Sequence, residues 1–97
     1  MAEWNELDAN HIVYIGGKPT MNYVLAVATQ FKEGTPTVII KARGRSISKA
    51  VDVALIVQDR FVENSKVQGI GIVTEELTDD NGQPTKVSSI EITVGKV

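Results

Sequence analysis

Two short basic turns constrain the fold of this chain more than any other feature of its sequence. Residues 16–19 (GGKP) and residues 41–46 (KARGRS) each join a short apolar run to a segment with helical periodicity. Two strands connected by a helix pair in parallel through a right-handed crossover, and ligands of such sheets gather at the carboxyl ends of the strands. We therefore expect Lys18, Arg43 and Arg45 to converge at one sheet edge. Two helix N-termini with free N–H donors would lie beside them, so this edge is predicted to bind phosphate.

The periodicity of the apolar residues predicts elements in the order β-α-β-α-β-β. Apolar runs at residues 12–15 and 37–41 are typical of strands covered on both faces. An apolar stripe at helical spacing follows each run, at Met21, Val24, Leu25, Ala28 and Phe31 and then at Ile47, Ala50, Val51, Ala54, Leu55 and Phe61. We expect Pro19 at the first position of the first helix and Ser46 or Ser48 as the cap of the second.

The C-terminal third of the chain predicts a β-hairpin. Apolar residues alternate with polar ones on both sides of Asn81-Gly82, a strong hairpin signal because both residues tolerate positive φ. The polar composition of residues 74–86 predicts that the hairpin tip extends beyond the packed body. The chain of 97 residues is expected to form one domain over residues 11–97, preceded by a flexible acidic arm at residues 1–10.

The second helix carries more apolar residues than one stripe needs. Val53, Ile56 and Val57 lie on other faces of that helix, where the chain's own sheet would not cover them. A second subunit is the simplest cover and favours a homodimer. Single exposed aliphatic residues, which are common, are the alternative.

Charge is segregated along the chain although the net charge is only −2. Residues 18–49 carry a net charge of +5, whereas the segments before and after them carry −3 and −4. Local potential steers a polyanion, so an acidic protein can still present a basic surface. Gly44 allows a tight turn between Arg43 and Arg45, whose guanidinium groups can each fork onto phosphate oxygens.

No residue pattern predicts catalysis, a metal site or a cofactor. The chain has no cysteine, and its single histidine, His11, does not make a metal cluster. The first turn lacks the spacing of a nucleotide-binding loop, and Pro19 removes an N–H donor there. Asp79 and Asp80 are ordinary turn residues. No apolar run approaches the roughly 20 residues of a membrane helix, so a cytoplasmic protein with no membrane partner is expected. Because no catalytic or nucleotide-binding pattern is present, no small-molecule partner is expected either.

Two segments closely resemble motifs of the Alba family of archaeal chromatin proteins. Residues 15–26 (IGGKPTMNYVLA) resemble the family's I-G-K-K-P-x-M-N-Y-V-x-A, and residues 40–52 (IKARGRSISKAVD) resemble its I-K-A-R-G-R-x-I-x-K-A-V-D. Arg60-Phe61 and residues 87–92 (VSSIEI) match as well, and the similarity spans about residues 11–95. The resemblance implies a two-layer α+β fold similar to the C-terminal domain of a bacterial translation initiation factor. That fold has a four-stranded mixed sheet, two helices on one face and a protruding C-terminal hairpin.

The resemblance also implies a function. Family members bind and compact double-stranded DNA as dimers on the chromosome, with basic turns on the backbone and hairpin arms along the minor groove. The nucleic-acid-binding residues carried over by motif are Gly17, Lys18, Asn22, Tyr23, Lys41, Arg43, Arg45 and Lys86. Contacts between neighbouring dimers would involve Arg60, Phe61 and His11, which stands where an asparagine is usual.

Three departures from the family pattern predict weaker or more selective DNA binding. Gly17 replaces the first of two lysines, which is acetylated in some relatives. The hairpin tip carries Asp79 and Asp80 where relatives often carry arginine, and the whole chain is acidic. An RNA partner, including a role as a ribonucleoprotein subunit, is the main alternative. A phosphometabolite enzyme and a protein that binds no nucleic acid are the remaining ones.

Overall fold

The regular elements follow one another in the predicted order. The structure is a computed structural model that describes residues 11–97, so the expected arm at residues 1–10 lies outside the described residues. Its elements are β1 (Ile12–Tyr14), α1 (Thr20–Lys32), β2 (Thr37–Arg43), α2 (Ile47–Ile56), β3 (Ser65–Thr78) and β4 (Pro84–Lys96). A 3₁₀ turn (Gly44–Ser46) leads into α2, and a π-helical turn (Val57–Phe61) follows it.

The four strands form one mixed sheet in the order β1-β2-β4-β3. β1 and β2 are parallel, with Val13 opposite Ile40, as expected for neighbouring strands joined by a helix. β4 runs antiparallel to both β2 and β3. The predicted α+β architecture with a mixed sheet and a C-terminal hairpin is therefore confirmed. Among residues 11–97, no helix is long and apolar enough to cross a bilayer.

Only one face of β2 is deeply buried, so the expectation of two fully covered strand faces was wrong. Val38, Ile40 and Ala42 are 0% exposed and face the helices, whereas the alternate residues of β2 are half-buried. Their neighbours Ile92 and Val94 on β4 complete the core layer. The sequence of β2 is continuously apolar in its middle, and this masked an alternation that arises from helix cover on one side only.

Both helices are rotated relative to the stripes predicted for them. In α1, Tyr23 and Val27 are buried, whereas Met21 and Leu25, which the prediction placed in the core, are 42% and 54% exposed. A stripe spaced at i, i+3 and i+4 leaves the edge of the buried face undetermined. In this helix a buried tyrosine, which binds the preceding turn, fixes the rotation.

In α2 the observed burial changes which apolar side chains remain exposed on a single subunit. Val53 and Val57, which the sequence assigned to other faces, are 0% exposed in the core of the same subunit. Val51 and Leu55, which the prediction assigned to the core, are 38% and 44% exposed. Ser46 precedes α2 but makes no side-chain capping bond, so the capping prediction is wrong for that serine.

The hairpin extends from the body as predicted, but its tip differs in detail. β3 is an edge strand whose Ile70 and Ile72 are 65% and 77% exposed. The loop spans residues 79–83, and positive φ occurs at Gly82 but not at Asn81. The Asp79 carboxylate accepts the N–H groups of Asn81 and Gln83, each at 2.9 Å. Asp79 is thus a turn-forming residue, in agreement with the interpretation from sequence.

Candidate nucleic-acid interface

The two basic turns meet at the carboxyl edge of β1 and β2. The backbone N–H of Ile15 donates to the Lys41 carbonyl at 2.8 Å, which aligns the ends of the two strands. A shallow pocket of about 470 Å³ forms beyond this bond, lined by Tyr14, Ile15, Gly16, Gly17, Lys18, Tyr23, Arg43 and Ser46. Lys18 and Arg43 therefore line the same concavity. Arg45 lies next to it, exposed on the 3₁₀ turn.

Tyr23 binds the N–H groups of the first turn. The backbone N–H groups of Gly16 and Lys18 donate to its hydroxyl oxygen at 3.0 and 3.1 Å. The side chain is 2% exposed, so we revise the expectation that Tyr23 itself contacts nucleic acid. A buried hydroxyl bound to two backbone donors fixes the path of the turn and hence the position of Lys18. Tyr23 is therefore a positioning residue.

Lys49, which the sequence did not single out, binds the carbonyl groups of the same turn. Its ammonium group, which reaches across from α2, donates to the carbonyl oxygens of Gly16 at 2.9 Å and Lys18 at 2.7 Å. The same nitrogen lies 5.9 Å from the centre of the Tyr23 ring, within the range of a cation–π contact. We call Tyr23 and Lys49 the turn clamp, because they bind the N–H and C=O groups of residues 16–18.

The second turn depends on Gly44. Its φ is +57°, a conformation that side-chain-bearing residues rarely adopt. A Cβ at this position would lie 3.3 Å from a methyl carbon of Val87 at the base of the hairpin. Glycine therefore allows the chain to leave β2 sharply and to pack against β4, which places Arg43 and Arg45 on either side of a tight bend.

Two of the predicted phosphate-binding cations lie against carboxylates. Arg43 Nη1 is 3.5 Å from Glu75 Oε1, with side chains 18% and 33% exposed. Lys41 Nζ is 3.3 Å from Glu91 Oε2, with side chains 32% and 48% exposed. Lys41 also belongs to β2 rather than to the turn, and it lines a second concavity on the sheet face opposite the helices. The sequence did not foresee either ion pair.

The remaining residues predicted to bind nucleic acid surround this edge or lie on the protruding β3–β4 hairpin, which we call the arm. Gly17 is exposed, with no atom within 4 Å of where its Cβ would be. Asn22 is exposed on the first turn of α1. Lys86 is exposed on the arm, directly opposite Glu76 in the β3–β4 register. Each is accessible, but the arm places its predicted cation beside an acidic neighbour.

The three residues predicted to contact neighbouring dimers lie along the C-terminal half of α1, away from the basic turns. His11 has a φ of 63°, and its Nδ1 donates to the Gln30 side-chain oxygen at 2.7 Å. Phe61 is 44% exposed and lines a groove with Leu25 of α1. Arg60 is exposed on the same π-helical turn. Within residues 11–97, no group of three or more His, Cys, Asp or Glu side chains forms a metal site.

The fold places the chain in a class of small two-layer α+β domains. This class is defined by a parallel strand pair, two basic strand-to-helix turns at its carboxyl edge and a long C-terminal hairpin. Comparison with known proteins gives the family within this class. The Alba family model matches residues 11–74. The chain belongs to the Alba family.

Several relatives are similar over nearly their whole length. The chain is 52% identical over 83 residues to the DNA/RNA-binding protein Alba of Methanocella arvoryzae, covering 86% of each chain. It is 54% identical over 85 residues to that of Methanothrix thermoacetophila, covering 88% of this chain and 94% of the relative. The solved structure of Alba from Thermoplasma volcanium superposes with a TM-score of 0.82 at 52% identity, covering 88% of this chain and 99% of that one.

Proposed function

We propose that this protein binds duplex DNA through the carboxyl edge of β1 and β2, with Lys18, Arg43 and Arg45 contacting backbone phosphates. The observation that carries the proposal is the shared concavity lined by Lys18 and Arg43, whose first turn is held through both its N–H and its C=O groups. Cations that are already held in place bind phosphate more tightly, because no free energy is then spent on ordering the loop during binding. The proposed role is binding of chromosomal DNA, without catalysis.

The names of the relatives support a nucleic-acid ligand. Those relatives are described as DNA/RNA-binding proteins, and their sequences match this chain across both basic turns. We favour DNA over RNA because the arm is an exposed, two-stranded ribbon suited to lie along a groove. Competition between duplex DNA and structured RNA for the same protein tests this preference. Stronger binding of RNA at equal salt would make RNA the main partner.

We propose that a second copy of the chain packs against the exposed apolar residues beside the hairpin and buries them. Ile70 and Ile72 lie on the helix side of β3, at the edge of the sheet where the subunit's own helices leave them exposed. Val51 and Leu55 are exposed on α2, which packs over the adjacent strands. A long apolar edge strand of this kind is prone to associate unless it is covered. A homodimer would also double the number of basic edges on one DNA molecule.

Binding should be weaker, or more dependent on DNA sequence and shape, than in basic relatives. Gly17 offers no cation where relatives carry lysine, and the loop at the arm tip contains Asp79 and Asp80. An acidic tip near a groove is repelled by phosphate. Each lost cation contact lowers the salt slope of log K by about 0.9.

Charge reversal on the edge tests the proposal directly. Lys18→Glu and Arg43→Glu should abolish binding to a random-sequence duplex and leave the oligomeric state unchanged. Lys66→Glu is the matched control, because Lys66 is exposed on β3 at the opposite end of the sheet. Fluorescence anisotropy measures binding, and sedimentation equilibrium measures assembly. Full binding by both edge variants would refute the proposed surface.

A further inference from the structure

The ion pair between Arg43 and Glu75 joins the basic edge to the arm. Arg43 ends β2, and Glu75 lies two strands away on β3, where the hairpin leaves the body. β4 runs between them, with Ser89 opposite Arg43 and Val87 opposite Glu75. The pair therefore crosses β4 diagonally, on the sheet face opposite the helices. The neighbouring pair of Lys41 and Glu91 is directly cross-strand.

A carboxylate at this position competes with phosphate for the same donors. Carboxylate and phosphate oxygens both accept the forked N–H groups of arginine in similar geometry. An arginine that is already neutralised by a carboxylate contributes less to the release of counterions when a polyanion binds. If phosphate displaces the carboxylate, the displaced negative charge stays close to the incoming phosphate and repels it. Either outcome reduces what Arg43 contributes to binding.

Among residues 11–97, the carboxylates that pair with the cations of β2 come from the hairpin. Glu75 and Glu91 pair with cations of β2, and Glu76 lies opposite Lys86. Over residues 65–96 the hairpin carries five acidic side chains and three basic ones. The segment from residue 18 to residue 49, by contrast, has a net charge of +5. The hairpin thus supplies a carboxylate beside Lys41, Arg43 and Lys86, three of the residues predicted to bind nucleic acid.

We propose that Glu75 is an affinity-setting residue that occupies the phosphate position of Arg43, and that Glu91 does the same at Lys41. This inference rests on the proposed function. In this protein the carboxylates weaken binding to an arbitrary duplex and make that binding less sensitive to salt. A DNA segment whose shape permits further contacts by the arm can offset the loss, so the paired carboxylates favour selective over general binding.

The test compares Glu75→Gln with Glu33→Gln, which removes the same charge from an exposed residue at the far end of α1. Affinity for a random-sequence duplex is measured by anisotropy between 50 and 200 mM salt. Removing the carboxylate charge beside Arg43 on each subunit of a dimer should steepen the salt slope by up to about 1.8. Over this range Glu75→Gln should then lose up to about tenfold more affinity than the wild type while binding more tightly at 50 mM. Glu33→Gln should retain the wild-type slope.

Two further variants make the test specific to the pair. In an Arg43→Gln background, adding Glu75→Gln should not steepen the slope, because the cation that faces Glu75 has already been removed. Glu91→Gln tests the same idea at Lys41, and it replaces Glu75→Gln as the test variant if Glu75→Gln does not fold. If Glu75→Gln and Glu33→Gln have equal slopes, or if Glu75→Gln binds more weakly than the wild type, then Glu75 only orients Arg43. Either result would overturn this inference but not the proposed function. Absence of duplex binding by the wild type would overturn the proposed function as well.

Discussion

Removing the Tyr23 hydroxyl should loosen the first basic turn without changing any charge. In Tyr23→Phe the ring stays in its buried site, but the N–H groups of Gly16 and Lys18 lose the acceptor they share. A buried donor left without its partner costs about 1–3 kcal/mol. Lys18 is exposed and Gly16 is half-buried, so water can replace part of the loss. The lower part of that range, about 1–2 kcal/mol, is therefore expected.

This free energy has two measurable consequences. For a domain of this size the melting temperature should fall by about 5–15 °C. Because the turn must be reordered when phosphate binds, each kcal/mol of ordering should lower the affinity for duplex about fivefold. The salt slope should stay at the wild-type value, since no cation is lost. A change in affinity without a change in slope distinguishes a positioning residue from a phosphate contact.

Thermal unfolding and salt-dependent anisotropy, both at matched protein concentration, measure these effects. Matched concentration is needed because association shifts the apparent stability by mass action. Lys18→Gln is the comparison variant, because it removes a charge from the same turn and should flatten the slope. An unchanged melting temperature together with wild-type affinity in Tyr23→Phe would refute the argument that the hydroxyl holds the turn.

Two other substitutions probe the fold and the proposed dimer. Gly44→Ala should destabilise the protein by about 1–2 kcal/mol in chemical denaturation, because alanine disfavours positive φ and its methyl group would crowd Val87. Gly17→Ala, whose added Cβ would meet no atom within 4 Å, should change stability by less than about 0.5 kcal/mol, and equal losses in both variants would contradict this reasoning. Leu55→Asp should convert the dimer to monomers in sedimentation equilibrium, whereas Leu25→Asp, on α1, should leave it intact. A Leu55→Asp protein that sediments as a dimer would exclude this face as the interface.

The sequence predicts the placement of the basic turns because that placement follows from topology. A right-handed crossover between two apolar strands brings the turns after them to the same sheet edge, whatever the side chains in between. The pocket shared by Lys18 and Arg43 is the local consequence of that rule. The hairpin was predictable for a similar reason, because a strand pattern on each side of a turn signal specifies its own partner.

The details on which the proposed binding depends are contacts between residues far apart in the chain. Lys49 reaches the first turn across 31 residues, and no local pattern distinguishes it from an exposed helical lysine. The pair of Arg43 and Glu75 depends on the register of three strands, including an irregularity between Val67 and Gly69. The rotation of α1 depends on the bonds of the buried Tyr23 hydroxyl, which the apolar stripe does not reveal.

The most direct test of the central claim is the salt dependence of duplex binding by Lys18→Gln and Arg45→Gln. If these side chains contact phosphates on both subunits of a dimer, each substitution should lower the magnitude of the slope of log K against log salt by about 1.8. Lys66→Gln should leave the slope unchanged. Wild-type slopes in both edge variants would contradict a phosphate-binding edge at the ends of β1 and β2.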